Sequence, residues 1–382
     1  MRILMFTTPL LGHFLPMLPL AREFRKQGHV VAFASAAPMA SAVESEGLDL
    51  IAVGPDKVEM LTEAIKRIGA EGLTSESPQF VAEFFAGVRL DLGADDALVA
   101  ARSWAPDMIV SERCDFLGPM VAATLKLPSA VIATDPALEP DLLEALATSV
   151  GSRFLVRGLE APVDALSGRW LLDLCPPSLH GAAEVPGVER KVLRPEPHQA
   201  PEGVPPVKRA ALTGRPRVLV SFSTGSNEME RLGSLLRSLS TLDVDLVATT
   251  SGNPAPPEGF GLDPDRLELV VFVPAAELLD GVSVVVHHGG SGTTFGAAAR
   301  GIPAVVVPDR PTQQGWAQRL EAAGAGLVLP VGDQVSPEEV AAAVERLLSD
   351  PGFTVAAQRL RDEIAAMPTP AEVAAQLVAA AG

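Results

Sequence analysis

Val282-Ser283-Val284-Val285-Val286 runs without a break into His287-His288-Gly289-Gly290-Ser291-Gly292-Thr293-Thr294 and then into the helix-prone stretch Phe295–Arg300. A β-branched run, a glycine-rich turn and a helix in direct succession form the βα unit of a parallel sheet. Glycines in such a turn tolerate positive φ and leave the backbone bare to an approaching molecule. The free N–H groups of Ser291 to Thr293 point outward ahead of the helix-prone stretch, and a helix N-terminus favours an anion. His288 and the hydroxyls add further donors. The spacing is neither that of the P-loop, which requires a lysine, nor the G-x-G-x-x-G of dinucleotide folds. A diphosphate is the expected ligand, and a plain tight turn around a buried histidine is the competing reading.

The same alternation extends in both directions. Strands are expected at Arg2–Phe6, His29–Ala34, Leu50–Val53, Met108–Ser111 and Ala130–Ala133, with helices at Leu15–Gln27 and through Val81–Ala101. Pro16 and Pro19 fall where a helix begins, a position that costs no helical hydrogen bond. Residues 194–216 hold six prolines and almost no aliphatic run, as an extended linker would. Winding then resumes with strands at Arg217–Ser221, Val244–Ala248, Leu267–Val273, Val282–Val286 and Ala304–Val307 and closing helices at Pro337–Leu348 and Val355–Ala366. Two doubly wound α/β domains result, residues 1–194 and 217–382 joined by a linker at 195–216. The last helix has room to return to the N-terminal domain, and a ligand is expected in the cleft between the two.

Composition narrows the function classes. The chain has 382 residues, of which 47% are hydrophobic and 20% charged, values of a packed globular protein rather than a disordered one. A net charge of −17 without a Lys/Arg cluster argues against nucleic acid and against an anionic membrane. The start, Met1-Arg2-Ile3-Leu4-Met5-Phe6, meets Pro9 and Gly12 too soon for a signal peptide, and no apolar run reaches the roughly 18 residues of a span. A cytoplasmic protein is expected. Cys114 and Cys175 are the only cysteines, too few for a disulfide framework or a Cys-based metal site, and no cofactor is expected.

Two flanks sharpen the diphosphate reading. Phe272-Val273-Pro274 ends one strand and offers a ring and a fixed backbone to a base, while Pro308-Asp309-Arg310-Pro311-Thr312-Gln313-Gln314 places short polar side chains after another. With Gly12-His13-Phe14-Leu15-Pro16, Gly28-His29 and Leu174-Cys175-Pro176-Pro177-Ser178-Leu179, the chain resembles the inverting nucleotide-sugar glycosyltransferases of family one with the GT-B fold, and among them the actinobacterial enzymes that glycosylate macrolides, polyketides and related antibiotics. The resemblance runs the length of the chain and is most specific at the His288 block. It implies that Phe272 and Val273 meet the base, that His288, Gly290, Ser291, Gly292 and Thr293 hold the pyrophosphate with Ser223, Thr224 and Gly225 opposite, and that Thr312 and Gln313 meet the sugar. Thr312 stands where the family usually has Asp. Loss of that charge-assisted grip points to a donor with fewer hydroxyls, such as a thymidine-diphosphate deoxysugar.

Inverting transfer needs a base for the acceptor's proton. His13 is the candidate, placed between the first strand and the helix near Leu15, where the positive helix end would keep the imidazole neutral at pH 7. The family supplies a carboxylate partner after a Pro-Asp-x-x-Val strand. Here Pro106-Asp107-Met108-Ile109-Val110-Ser111 leads to Glu112, with Asp115 as competitor. Asp243-Val244-Asp245 and Asp263-Pro264-Asp265 match the Asp-x-Asp metal signature of the other major glycosyltransferase fold, but read as chance occurrences, and no metal is expected. His180 and His198 read as surface residues. The expected partners are a nucleotide-sugar donor and an apolar small-molecule acceptor, and a homodimer is compatible. A catalytically silent homologue assisting another transferase and a nucleotide-sugar epimerase of the same fold remain alternatives.

Overall fold

The computed structural model describes all residues except 72–76, 135–137, 163–167, 181–187, 202, 206, 208, 210–212, 223–227, 251–259, 272, 310–312 and 332–334. It divides into two compact units. Unit 1 comprises Met1–Cys175, His180–Arg194 and Met367–Gly382, and unit 2 comprises Pro176–Leu179 and Pro195–Ala366. Unit 1 is built on strands β1 (Arg2–Phe6), β2 (Val30–Ser35), β3 (Asp49–Ala52), β4 (Met108–Glu112), β5 (Ser129–Ala133), β6 (Trp170–Asp173) and β7 (Glu189–Val192), ordered β3-β2-β1-β4-β5-β6-β7. Unit 2 is built on β8 (Arg217–Ser221), β9 (Asp245–Thr249), β10 (Leu267–Val270), β11 (Val284–His287), β12 (Ala304–Val306) and β13 (Gly326–Val328), ordered β10-β9-β8-β11-β12-β13. Every recorded pairing is parallel.

Each sheet reverses its winding once. In unit 1 the reversal lies between β1 and β4, with Phe6 opposite Ser111. In unit 2 it lies between β8 and β11, with Ser221 opposite His287. Loops leave in opposite directions at such a point and open a crevice at the carboxyl ends of the two strands. His13 and Glu112 follow β1 and close β4, and the His288 turn follows β11, so each candidate group belongs to the crevice of its own sheet.

The central strands match the sequence reading because both faces are buried, which produces near-continuous apolar runs; Ile3 to Phe6 and Val284 to Val286 are each 0% exposed. Three strands escaped that reading. β6 is short, β7 (Glu-Arg-Lys-Val) is a charged edge strand, and β13 has three residues. Such elements exist through backbone pairing with a neighbour rather than through a pattern of their own.

One buried ion pair organises the core beside the β1/β4 crevice. Arg89 opens the helix Arg89–Trp104, and both it and Asp115 have side chains 0% exposed. The guanidinium donates twice to Asp115 Oδ2, at 3.0 and 2.7 Å, and also to the carbonyls of Thr7 and Pro55. Asp115 Oδ1 meanwhile accepts from the N–H groups of Leu117 and Gly118, which start the helix Leu117–Leu125. Burial and the neighbouring Glu112 push the Asp115 carboxyl up, against the pull of Arg89 and the Gly118 amide. Gly54, at φ +72°, allows the arrangement, since a Cβ there would stand 2.9 Å from Arg89 Nη1.

Residues of the segment read as a linker are fastened to unit 2. The His198 carbonyl accepts from Ala276, Val207 N–H donates to Glu277, and Arg209 pairs with Glu268. A proline-rich strap of this kind gives up its own secondary structure and meets its hydrogen-bonding needs on the surface it crosses. At the far end, Pro351–Ala381 reaches the length and mean hydropathy of a bilayer span, contrary to the sequence reading. It is interrupted at Met367–Thr369, however, and forms helices of 16 and 12 residues, each short of the roughly 20 that a span requires. The first belongs to unit 2 and the second, capped by Thr369 and Glu372, to unit 1, where it lies against the helix Leu18–Lys26.

Replacing Arg89 by Met is expected to cost about 3–5 kcal/mol of stability, because it strands the Asp115 carboxylate in the core. Asp115→Asn in the same background should restore part of that loss, as the amide oxygen can still cap the helix. Urea unfolding of the two variants measures both effects, and a single variant as stable as the wild type would refute the pairing.

Candidate active site

β1 is followed by Thr7, Thr8 and a first helical turn, α1 (Leu11–Phe14). The N–H groups of His13 and Phe14 both donate to the Leu10 carbonyl, at 3.0 and 3.1 Å, so the helix begins ahead of the predicted start at Leu15. Phe14 is fully buried and meets Phe33 edge-on, with ring centroids 4.9 Å apart, and this anchors the turn. His13 occupies the last turn of α1 rather than a position ahead of a helix N-terminus. Its Nδ1 lies 3.0 Å from Glu112 Oε2, with the two side chains 22% and 1% exposed.

Glu112 is the last residue of β4 and is saturated with donors. Oε1 accepts from the N–H and hydroxyl of Thr8, and Oε2 accepts from His13 Nδ1 and from the Cys114 N–H at 2.7 Å. Burial alone would push this carboxyl up, but His13 and the hydrogen bonds outweigh it and hold Glu112 below the ordinary glutamate range. For His13, burial works to lower the pKa. The adjacent carboxylate and the imidazole's hydrogen bonding to Glu112 and Cys114 overcome it and lift the imidazole well above the ordinary histidine range. The resting pair is therefore imidazolium and carboxylate, which corrects the expectation of a neutral imidazole. The helix-end argument fails because His13, inside the first helical turn, stands beside a full negative charge, which outweighs a partial dipole.

Asp115, the competing partner, is committed to Arg89 and to the helix it caps. Thr8 and Cys114 were missed from sequence. The available signal was their position directly after the carboxyl ends of β1 and β4. A ring wall flanks the pair as well: the π-helical turn Glu83–Val88 sets the Phe85 centroid 5.6 Å from His13, with Phe84 edge-on to Phe85. π-helical turns recur where a helix must present a side chain out of its regular order.

In unit 2, β11 ends at His287 and the chain turns through Gly289, at φ +94°, into the helix Ser291–Arg300. Gly290 is the N-cap and no side chain caps it, so the first-turn amides are left to an outside acceptor. A Cβ on Gly290 would stand 2.7 Å from His288 Nε2, which places the His288 ring over the helix start. A Cβ on Gly289 would stand 3.1 Å from the Gln313 carbonyl, so this glycine lets Gln313 meet the turn. Ser291, Gly292 and Thr293 open the helix with partial or full exposure, and Val273 lies buried past β10. Gln313 Oε1 accepts the Asp309 N–H at 2.8 Å, which fixes the loop after β12. Ser223, Thr224, Gly225, Phe272 and Thr312 lie outside the described residues.

His287 was overlooked in favour of its neighbour. It is 0% exposed, and its Nδ1 accepts the Gly289 N–H at 3.1 Å, so the neutral ring carries its proton on Nε2. Burial and the adjacent His288 push its pKa down to about 3, so this ring remains a neutral donor across the physiological range. His180 and His198 are not surface residues: His180 Nε2 lies 3.0 Å from Asp173, and His198 is 9% exposed. Asp243 and Asp245 bind Arg215 and Thr213 at the foot of β9, and Asp263 accepts the Asp265 N–H in a turn.

Sequence comparison identifies the family. The erythromycin biosynthesis protein CIII-like family matches through its N-terminal domain at residues 22–221 and its C-terminal domain at 233–380. The chain belongs to this family and is a nucleotide-sugar-dependent glycosyltransferase of antibiotic biosynthesis with the GT-B fold. It is 33% identical to the L-demethylnoviosyl transferase of Streptomyces niveus, over 99% of this chain and 98% of that protein. It is 30% identical to the aklavinone 7-beta-L-rhodosaminyltransferase of Streptomyces galilaeus, over 98% and 94%. Among solved structures, the spinosyn rhamnosyltransferase SpnG complexed with thymidine diphosphate superposes with a TM-score of 0.79 at 27% identity, covering 99% and 100% of the two chains. The same enzyme is also known complexed with spinosyn aglycone.

The coupling of His13 to Glu112 has a direct signature. In the wild type the His13 imidazole is expected to titrate above the ordinary histidine range, so its charge persists at neutral pH and is lost as pH rises. Glu112→Gln removes the opposing charge and leaves burial in control, so the titration should move down to the ordinary range or below it. Imidazole nitrogen shifts followed by NMR across pH read both. Equal titration in the two proteins would break the pair.

Proposed function

We propose that the enzyme moves a deoxysugar from a thymidine-diphosphate donor to a hydroxyl of an apolar small-molecule acceptor, with inversion at the anomeric carbon, without a metal, and with His13 as general base. The observation that carries this reading is the buried Glu112 contact to His13 Nδ1, which leaves Nε2 as the proton-accepting atom once the imidazolium has released its proton. In this reading the acceptor hydroxyl gives its proton to Nε2 as its oxygen bonds to the anomeric carbon. The bond from that carbon to the diphosphate oxygen breaks on the opposite side, and the nucleoside diphosphate departs with the electron pair. Glu112 holds the ring and stabilises the cation that forms.

On the donor side, the uncapped helix start at Gly290, with Ser291, Gly292, Thr293 and His288, would receive the pyrophosphate's negative charge as it grows. Val273 and Phe272 are assigned to the base, Ser223, Thr224 and Gly225 to the far side of the diphosphate, and Thr312 and Gln313 to the sugar. Thymidine diphosphate in SpnG and the deoxysugar names of both relatives support the donor class, as does the neutral Thr312. Phe85, tilted against His13, and Phe84 support an apolar acceptor. A silent auxiliary role has no comparable support, since it would make no use of an imidazole and a carboxylate brought to 3.0 Å.

His13→Ala should lower turnover by about 10³-fold or more while donor affinity stays within twofold. Activity above about a tenth of wild type would remove His13 from the role. Because the base must be neutral, kcat/KM should rise with pH through the elevated His13 titration, and Glu112→Gln should shift that limb to lower pH while lowering the plateau. His288→Ala should weaken thymidine diphosphate by about tenfold or more in calorimetry, the loss of a hydrogen bond to a charged group. Unchanged affinity would count against the donor site.

A further inference from the structure

The proposed transfer assigns no part to the Cys114 thiol, yet it lies beside the His13 imidazole. An imidazole nitrogen of His13, a carboxylate oxygen of Glu112 and Cys114 Sγ all lie within 4.8 Å of one another. The count of two cysteines argued against a Cys-based metal site, but a mixed nitrogen, oxygen and sulfur site needs only one. We propose that His13, Glu112 and Cys114 bind a thiophilic divalent cation of the zinc type, and that the bound ion blocks glycosyl transfer.

The donor set suits such an ion. Zinc takes imidazole, carboxylate and thiolate together in a tetrahedron, often with three protein ligands and one open position. Bonds of about 2.1 Å to nitrogen and oxygen give a tetrahedral edge of about 3.4 Å, and the sulfur edges are about 3.6 Å. The Nδ1 to Oε2 separation is 3.0 Å, and because no separation in the cluster exceeds 4.8 Å, a Cys114 movement of about 1 Å or less closes the sulfur edges. The carboxylate and a thiolate would neutralise the ion's two charges. Thr8 holds Glu112 through its other oxygen, which leaves Oε2 able to exchange its partners. The partial exposure of His13 and Cys114 provides an entry path, while the carboxylate lies at the bottom of the site.

Proton balance explains the block. Binding expels one proton from the His13 imidazolium and one from the Cys114 thiol. The metal then occupies the lone pair of one ring nitrogen while the other ring nitrogen keeps its proton. No lone pair remains to accept the proton of an acceptor hydroxyl. This blocking half of the proposal rests on His13 being the base, whereas the binding half does not.

The test uses the full chain freed of metal by a chelator. Zinc is titrated in competition with a chromogenic chelator, and cobalt(II) is added in its place to report sulfur ligation through the near-ultraviolet cobalt–thiolate absorption. One zinc per chain and a thiolate band are expected. Cys114→Ser should lose the band and bind zinc about tenfold more weakly or worse. His13→Gln should weaken zinc as well, and Cys175→Ser, a buried cysteine outside the cluster, should change neither reading. Absence of stoichiometric binding, or an unchanged zinc affinity in Cys114→Ser, would overturn the site. Saturating zinc should stop transfer by the wild type, with recovery on adding chelator, and undiminished transfer with the site filled would overturn the block. Activity retained by His13→Gln would remove the base assignment alone, because the metal titration requires no turnover.

Discussion

Burying the Glu112 carboxylate at the end of a central strand is the constraint on which the His13 site rests. A charge in that position is tolerated only if donors surround it, and the fold brings them from three places: Thr8 after β1, the Cys114 amide two residues on, and His13 from the first helical turn. The result is a carboxylate that stays ionised and an imidazole that becomes more basic than in water. The same requirement recurs one layer deeper, where Asp115 is buried against Arg89. Two acidic side chains three residues apart thus have separate tasks, set by which cation each one reaches.

The donor side rests on the opposite device. There the fold leaves a helix start without a side-chain cap and bares it with glycines, so that its first amides are open to an acceptor from outside the chain. A positive φ at Gly289 turns the chain sharply enough to bring Gln313 beside the turn. His287 beneath it stays neutral because burial disfavours its charge. Amides fixed in this way would meet the growing charge of the proposed diphosphate without rearranging.

Much of this was legible in the chain itself. The runs at Arg2–Phe6, Met108–Ser111 and Val282–Val286 announced parallel strands because strands buried on both faces lose the polar alternation. The glycines after His288 announced a tight βα turn. The pairing of His13 with Glu112 was legible only through the resemblance, since 99 residues separate them and no local pattern links them. β6, β7 and β13 were not legible because short or charged strands are specified by their neighbours. His180 was misread because its carboxylate partner, Asp173, stands on β6 and reaches it only through the fold of the intervening chain.

The amino-acid sequence by itself determined the two windings, the crevice positions at the ends of β1, β4 and β11, and the residue types available there, because those follow from local pattern and from the order of the elements. Tertiary structure alone decided protonation and partnership. It placed His13 inside the first helical turn beside a full carboxylate charge, gave Asp115 to Arg89, sank His287 below its neighbour, and brought the Cys114 thiol to the imidazole. Each of these depends on the distance between charges and on exclusion of water, quantities that a linear order of residues does not contain.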